Sequence, residues 1–345
     1  MKDILEKFLG RNHMESFKKY ASGVLFAVIF AAALLCVFHK NVSAAGLSPL
    51  SVKGTELVDR SGKAVQLKGI STHGLSWFPE YVNEKSFHYM KKKWGINVVR
   101  LAMYTAEYNG YCTGDAENKK KLEKLIDDGV RYATDAGLYV IIDWHILSDA
   151  NPAAHQKEAL SFFKKMAKKY KNNSNVLYEI CNEPNGGVQW KDIKKYAVKV
   201  IKKIRKYDRD AVIITGTPTW SQDVDIASAD KISSKYGNIM YALHFYAATH
   251  GEFLRQKAQK ALDSGLPIFV TEFGICDSSG NGGINKGEAK KWFDFLDKNK
   301  ISYAAWNLSN KNETSAFIKP GCTKVSGWKK SELTESAKYI VKHFK

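Results

Sequence analysis

An α/β fold closed into a (β/α)8 TIM barrel is the architecture the sequence predicts for residues 45–345, and three observations predict it. Eight short, nearly continuous apolar runs recur along the chain, the pattern of parallel strands buried on both faces. Apolar stripes at helical spacing lie between most of them, each on a basic helix, as an outer ring of helices requires. About 300 residues remain once the first 44 are set aside, ordinary for one such barrel. No glycine-rich dinucleotide fingerprint opens a helix, which argues against an open doubly wound sheet.

Residues 1–44 read as an export leader. An uncharged, largely apolar run of 18 residues, 21–38, follows Lys18-Lys19 and precedes Val42-Ser43-Ala44. This is a positive flank, an apolar segment and a small-residue cleavage site, with the cut expected after Ala44. The stretch before Met14 is long for a signal peptide, and a start at Met14 gives ordinary proportions. An uncleaved membrane anchor is the alternative, because the run lies at the lower limit for a spanning helix. The protein is therefore expected to be secreted, or anchored to the membrane if the leader stays on.

Taken in order, residues 57–65 form a hairpin with its turn at Ser61-Gly62, leading into a first core strand at 65–70. Further strands are expected at 96–102, 138–144, 176–182, 211–215, 239–245, 268–272 and 302–306. Leu122, Leu125, Ile126, Val130 and Ala133 mark one helix, and Ile193, Ala197, Val200, Ile201 and Ile204 another. Leu254, Ala258, Ala261 and Leu262 mark a third; Leu333, Ala337, Ile340, Val341 and Phe344 mark the last. Trp94 and Trp292 fall within helical patterns and belong to the core. Residues 223–236 show poor helical periodicity.

Composition removes several classes of function. The formal net charge of +18 could favour an acidic partner. The lysines, however, sit in runs such as Lys194-Lys195 and Lys202-Lys203 on the outer faces of expected helices. A solvated face explains them without nucleic acid. Cys36 lies in the leader, and Cys112, Cys181, Cys276 and Cys322 allow three pairings, none of which is assigned. The nine histidines include no His-Glu-x-x-His and no close Cys/His cluster, so no metal is expected. There is no phosphate-binding loop and no Gly-x-Ser-x-Gly, and no cofactor is called for.

The working face of a barrel lies at the C-terminal ends of its strands. Those ends present His73 and Trp77, Arg100 and Tyr104, Trp144 and His145, Asn182 and Glu183, and Trp220. His244 and Tyr246, Glu272, and Trp306 with Asn307 complete the ring. Each alone has an ordinary packing explanation, but eight strands presenting such groups at one end do not. Glu183 ends strand four and Glu272 strand seven, roughly opposite each other across the mouth. Two carboxylates in a cleft lined with Trp and Tyr suit glycoside hydrolysis, in which one donates a proton and the other stays ionised. Trp77, Trp220 and Trp306 are the rings on which the apolar faces of sugars would lie. A carbohydrate-binding protein without catalysis would need the cleft but not both carboxylates.

Ile70-Ser71-Thr72-His73-Gly74, Val98-Val99-Arg100-Leu101 and Ile142-Asp143-Trp144-His145 match a known pattern. Tyr178-Glu179-Ile180-Cys181-Asn182-Glu183-Pro184, the run from Thr215 to Asp225, Leu243-His244-Phe245-Tyr246, Val270-Thr271-Glu272-Phe273-Gly274 and Ala305-Trp306-Asn307 continue it. As an ordered set the chain resembles glycoside hydrolase family 5, most closely its bacterial secreted endo-β-1,4-glucanases, over nearly all of residues 47–345. The resemblance implies an endo-acting, retaining enzyme with Glu183 as acid/base and Glu272 as nucleophile. It implies that Tyr246 hydrogen-bonds the nucleophile, that Arg100 keeps it ionised, and that Asn182 holds the sugar 2-hydroxyl in a pocket completed by His145 and His244. His73, Trp77, Tyr104, Trp220 and Trp306 would bind substrate. β-Glucan is the expected partner of a monomer, with mannan and mixed-linkage glucan as alternatives that loop geometry decides.

Overall fold

Two short strands open the described chain, residues 46–345 of a computed structural model; the leader expected at 1–44 lies outside the described residues. Ser51–Lys53 (β1) and Glu56–Val58 (β2) pair antiparallel. The turn expected at Ser61-Gly62 follows, organised by Asp59 Oδ1, which accepts from the N–H groups of Ser61 and Lys63 at 2.9 and 3.1 Å. Val65 N–H then donates to Leu57 O at 2.8 Å. That bond keeps residue 65 in the hairpin, so the first barrel strand starts later than expected.

The eight barrel strands are Lys68–Thr72 (β3), Val98–Tyr104 (β4), Tyr139–His145 (β5), Val176–Glu179 (β6), Ile213–Thr215 (β7), Ile239–Tyr246 (β8), Ile268–Gly274 (β9) and Ser302–Leu308 (β10). All pairs are parallel, and β10 closes on β3. The outer helices are Glu84–Tyr89 (α1), Ala116–Asp135 (α2), Gln156–Tyr170 (α3), Trp190–Arg205 (α4), Val224–Ala229 (α5), Glu252–Asp263 (α6), Lys286–Lys298 (α7) and Glu335–Ile340 (α8). The (β/α)8 barrel read from the sequence is thus the fold.

Side-chain alternation divides the interior into layers. On β4, Val99, Leu101 and Met103 face the helices, while Val98, Arg100, Ala102 and Tyr104 face the axis. Val98, Tyr139, Ile141, Leu177, Ile214, Met240 and Phe269 fill the bottom, where Leu50 and Leu57 of the hairpin segment seal it. Each such side chain contributes about 1.5–3 kcal/mol by leaving water. Polar groups occupy the middle, and Tyr104, Tyr246 and Trp306 lie at the top.

The apolar stripes fall where the sequence puts them: Leu122, Ile126, Val130 and Ala133 on α2, and all five residues on α4, are buried. Asp115 caps α2 by accepting from Asn118 N–H at 2.8 Å, a contact typically worth about 1 kcal/mol. Residues 223–236, poor in periodicity, hold only α5 and one tight turn, Ser234–Tyr236. The last helix is shorter than its stripe. Leu333 is bridged to Ile318, so α8 begins only after the Thr334 cap. All four cysteines of this unit are free thiols. Among the described residues no helix is long and apolar enough to cross a membrane.

Candidate active site

Strand β6 stops pairing at Glu179, so Asn182 and Glu183 lie just past the ladder, above the mouth. Strand β9 reaches the mouth differently. It pairs Ala242 with Phe269 and His244 with Glu272, three residues advancing against two. This bulge lets both Thr271 and Glu272 point inward, where simple alternation would admit one. Across the mouth, one oxygen each of Glu183 and Glu272 and one ring nitrogen of His244 all lie within 4.8 Å of one another.

Beneath these carboxylates sits Arg100, fully buried. Its Nε donates to Glu179 Oε2 at 2.7 Å and its Nη1 to Glu272 Oε2 at 3.2 Å. Nη2 donates to Asn182 Oδ1 at 2.6 Å and lies 3.0 Å from Asp143 Oδ2. Tyr246 Oη donates to the other oxygen of Glu272 at 2.7 Å. Both oxygens of the expected nucleophile are therefore held from opposite sides. Asn182 Nδ2 donates to Ile146 O at 3.0 Å and lies 3.2 Å from His145 Nε2.

The histidines sit in opposite electrostatic environments. Burial pushes His145 down to about 3, and the neighbouring Arg100 charge adds to it. With Nδ1 at 2.6 Å from Asp143, neutral His145 turns Nε2 to the cleft as an acceptor. His73 is likewise driven to about 3, by burial and then by Lys311. Burial also opposes charge on His244, but Glu179 and Glu183 outweigh it and raise this histidine to about 9. Its Nδ1 is 2.8 Å from Glu183 Oε1, and its Nε2 is 2.8 Å from Thr271 Oγ1, which itself donates to Glu179 Oε1 at 2.7 Å. Since that hydroxyl gives its proton to Glu179, it accepts from Nε2 and fixes a proton there. Glu179 is held down to about 2: burial works against its charge, but Arg100 and His244 prevail. Burial and the Glu272 charge hold the Tyr246 hydroxyl well above its ordinary range, so it remains a donor.

Above this layer the cleft opens as a cavity of about 810 Å³. One wall is a run of rings in contact: Trp77 stands edge-on to Tyr104 at 4.8 Å, His73 lies 5.2 Å from Trp306, and Trp306 stacks 5.3 Å from His145. Trp77 can fold over residue 74 because it is glycine: a Cβ there would meet the ring at 2.3 Å. Trp220 lines the same cavity and is 45% exposed, with no ring against it among the described residues.

Every expected site residue except Arg100 and Asn182, which lie directly beneath, lines this one cavity. Trp144, read with His145 as a mouth residue, is a correction: strand alternation turns it outward, fully buried against Tyr111, Phe162 and Phe163. Asn307 is buried as well, donating to Glu313 at 2.8 Å. Trp94 and Trp292 are core, as expected. Asp143, Glu179 and Thr271 are site residues beyond those expected; for the two acids, a charge inside an apolar strand is the available signal, and Thr271 carries none. Lys311 and Glu313 also line the cavity; they come from the loop after β10, which carries no pattern.

Glu183, His244 and Glu272 are spaced to bracket a cation. Glu183 Oε1 is engaged by His244, however, and both Glu272 oxygens by Tyr246 and Arg100, so a metal would have to displace these bonds.

Comparison with known proteins agrees with this geometry. A family model described as Cellulase (glycosyl hydrolase family 5) matches residues 58–312. The chain is 47% identical over 293 residues to Endoglucanase A of Butyrivibrio fibrisolvens, covering 85% of this chain and 67% of that protein. It is 46% identical over 330 residues to an Endoglucanase of Clostridium saccharobutylicum, covering 94% and 72%. The solved structure of Cellulase Cel5C_n superposes with a TM-score of 0.83 at 45% identity, over 88% of this chain and 94% of that one.

Proposed function

The chain belongs to the cellulases of glycosyl hydrolase family 5, and on that premise we propose that Glu183 and Glu272 perform the family's retaining cleavage at this mouth. The protein is an endo-acting glycoside hydrolase, an endoglucanase cutting internal β-1,4-glucosidic bonds. Glu272 attacks the anomeric carbon while Glu183 gives its proton to the departing glycosidic oxygen, leaving a glycosyl ester. Glu183 then takes a proton from water, whose oxygen attacks the same carbon and frees Glu272. Two inversions give net retention.

The observation that carries this reading is the closeness of the two carboxylates, with one oxygen of Glu183 and one of Glu272 within 4.8 Å of each other. Direct attack needs carboxyl groups about 5–5.5 Å apart, whereas inversion leaves room for water at about 6.5–9.5 Å. Tyr246 and Arg100 hold and aim the nucleophile from opposite sides. We assign the 2-hydroxyl to the Asn182 amide and His145 Nε2, the pair whose mutual contact at 3.2 Å it would share. His244 orients Glu183. His73, Trp77, Tyr104 and Trp306 form one sugar-binding wall and Trp220 a separate platform.

We further propose that residues 1–44 are an export leader cut after Ala44, on the strength of the flanked apolar run, and that the barrel acts as a monomer. Among the described residues the large exposed apolar side chains are Tyr108, Trp220, Ile226 and Phe253. Proton NMR of the first-formed reducing ends tests the chemistry. The β-anomer appearing first supports double displacement, and the α-anomer first would overturn it.

A further inference from the structure

Strand β7 leaves the barrel through Gly216, and the chain beyond folds into a turn that L-residues avoid. Thr219, Trp220 and Ser221 have φ of 56°, 52° and 56°, three successive residues in the left-handed region usually left to glycine. None is Gly, Asn or Asp, so the surroundings must impose it. Trp220 N–H donates to Pro184 O at 2.9 Å. Ser221 Oγ donates to Asn182 O at 2.6 Å and accepts from Thr217 N–H at 3.3 Å. Thr219 Oγ1 donates to Asp223 Oδ2 at 2.6 Å. Gly216 is pressed against the same segment: a Cβ there would sit 2.6 Å from Cys181 O and 2.7 Å from Pro184 Cδ.

The turn therefore grips the carbonyls on both sides of Glu183, one with a buried hydroxyl and one with a backbone N–H. Between those two bonds the chain carries Trp220 into the cleft. Among the described residues the Glu183 side chain itself makes one hydrogen bond, between Oε1 and His244 Nδ1. We propose that Ser221 is a positioning residue that acts through the backbone of residues 182–184 to hold the Glu183 carboxyl in line with the leaving oxygen. The strained turn ties this alignment to the sugar bound on Trp220. The inference rests on Glu183 being the acid/base.

The test uses two substrates that differ in their need for an acid. Cellopentaose has an alcohol leaving group that must be protonated, whereas a dinitrophenyl cellotrioside has one that departs unaided. kcat/KM is measured, because it reports bond cleavage and not the later hydrolysis of the ester. Ser221→Ala is expected to lose about 10²-fold on cellopentaose, the lower end of what general acid catalysis contributes, and at least tenfold less on the aryl substrate. Ser221→Gly removes the same hydroxyl and accepts φ 56° freely, so it should show the same split even where the alanine variant folds poorly. Glu183→Gln, run alongside, should split further in the same direction. Equal losses on both substrates in Ser221→Ala and Ser221→Gly, with Glu183→Gln splitting, would overturn the role of Ser221. Equal losses in Glu183→Gln would instead overturn the acid assignment beneath it.

Discussion

At the scale of residues, the site is one buried guanidinium shared among carboxylates, with histidines held in opposite charge states. His73 and His145 stay neutral down to about 3, while His244 stays charged up to about 9. The signs differ accordingly. Below about 6.5, the ordinary histidine value, an unfolded chain takes up protons that folded His73 and His145 refuse, so both cost stability as pH falls towards 3. His244 contributes stability that is fully present below about 6.5 and lost as pH rises through 9. Ring-proton NMR should show His73 and His145 not titrating between pH 4 and 8, with one histidine titrating near 9. Glu179→Gln should lower that high value, since Glu179 is one of the carboxylates that raise it. An unchanged titration would contradict the chain through Thr271. Asp143 and Glu179 were visible as charges inside apolar strands. Their partnership with Arg100 was not, because it depends on three strands meeting at one height.

At the scale of elements, the bulge in β9 and the turn after β7 decide what the mouth can hold. Strand positions were legible because a strand buried on both faces must be apolar throughout. The bulge was not, since Val270-Thr271-Glu272 reads the same with or without an extra residue. The left-handed turn was equally hidden: Thr-Trp-Ser carries no signal for positive φ, and its cost of about 1–2 kcal/mol per residue is met by tertiary contacts. Gly216 did carry a signal. Gly216→Ala should lower unfolding free energy by about 1–3 kcal/mol through overpacking and reduce glucanase activity together with it. Chemical denaturation and hydrolysis of soluble glucan check both; a variant of unchanged stability would show that the 181–184 segment gives way freely.

At the scale of the whole molecule, the barrel separates a bottom that holds it together from a top that works. The division was legible in outline, because all eight strand ends carried polar or aromatic groups. The hairpin segment that seals the bottom was only half read, with β1 unforeseen, since three residues make too short a run to show alternation. Leu57, buried beneath the strands, should therefore be costly to stability and silent in catalysis. Leu57→Ala should lose about 2–5 kcal/mol in denaturation and keep the wild-type kcat/KM on soluble glucan at temperatures where it is folded. A catalytic defect without loss of stability would contradict that separation.

The central claim, that Glu272 forms a covalent bond with the sugar while Glu183 moves the proton, is tested most directly by trapping the intermediate. A dinitrophenyl cellobioside carrying fluorine in place of the 2-hydroxyl should glycosylate the enzyme, releasing dinitrophenolate, and the resulting ester should hydrolyse slowly. Peptide mass spectrometry of the inactivated protein is predicted to place one glycosyl adduct on Glu272. An adduct on Glu183 or on any other residue, or full turnover with no adduct formed, would contradict the account.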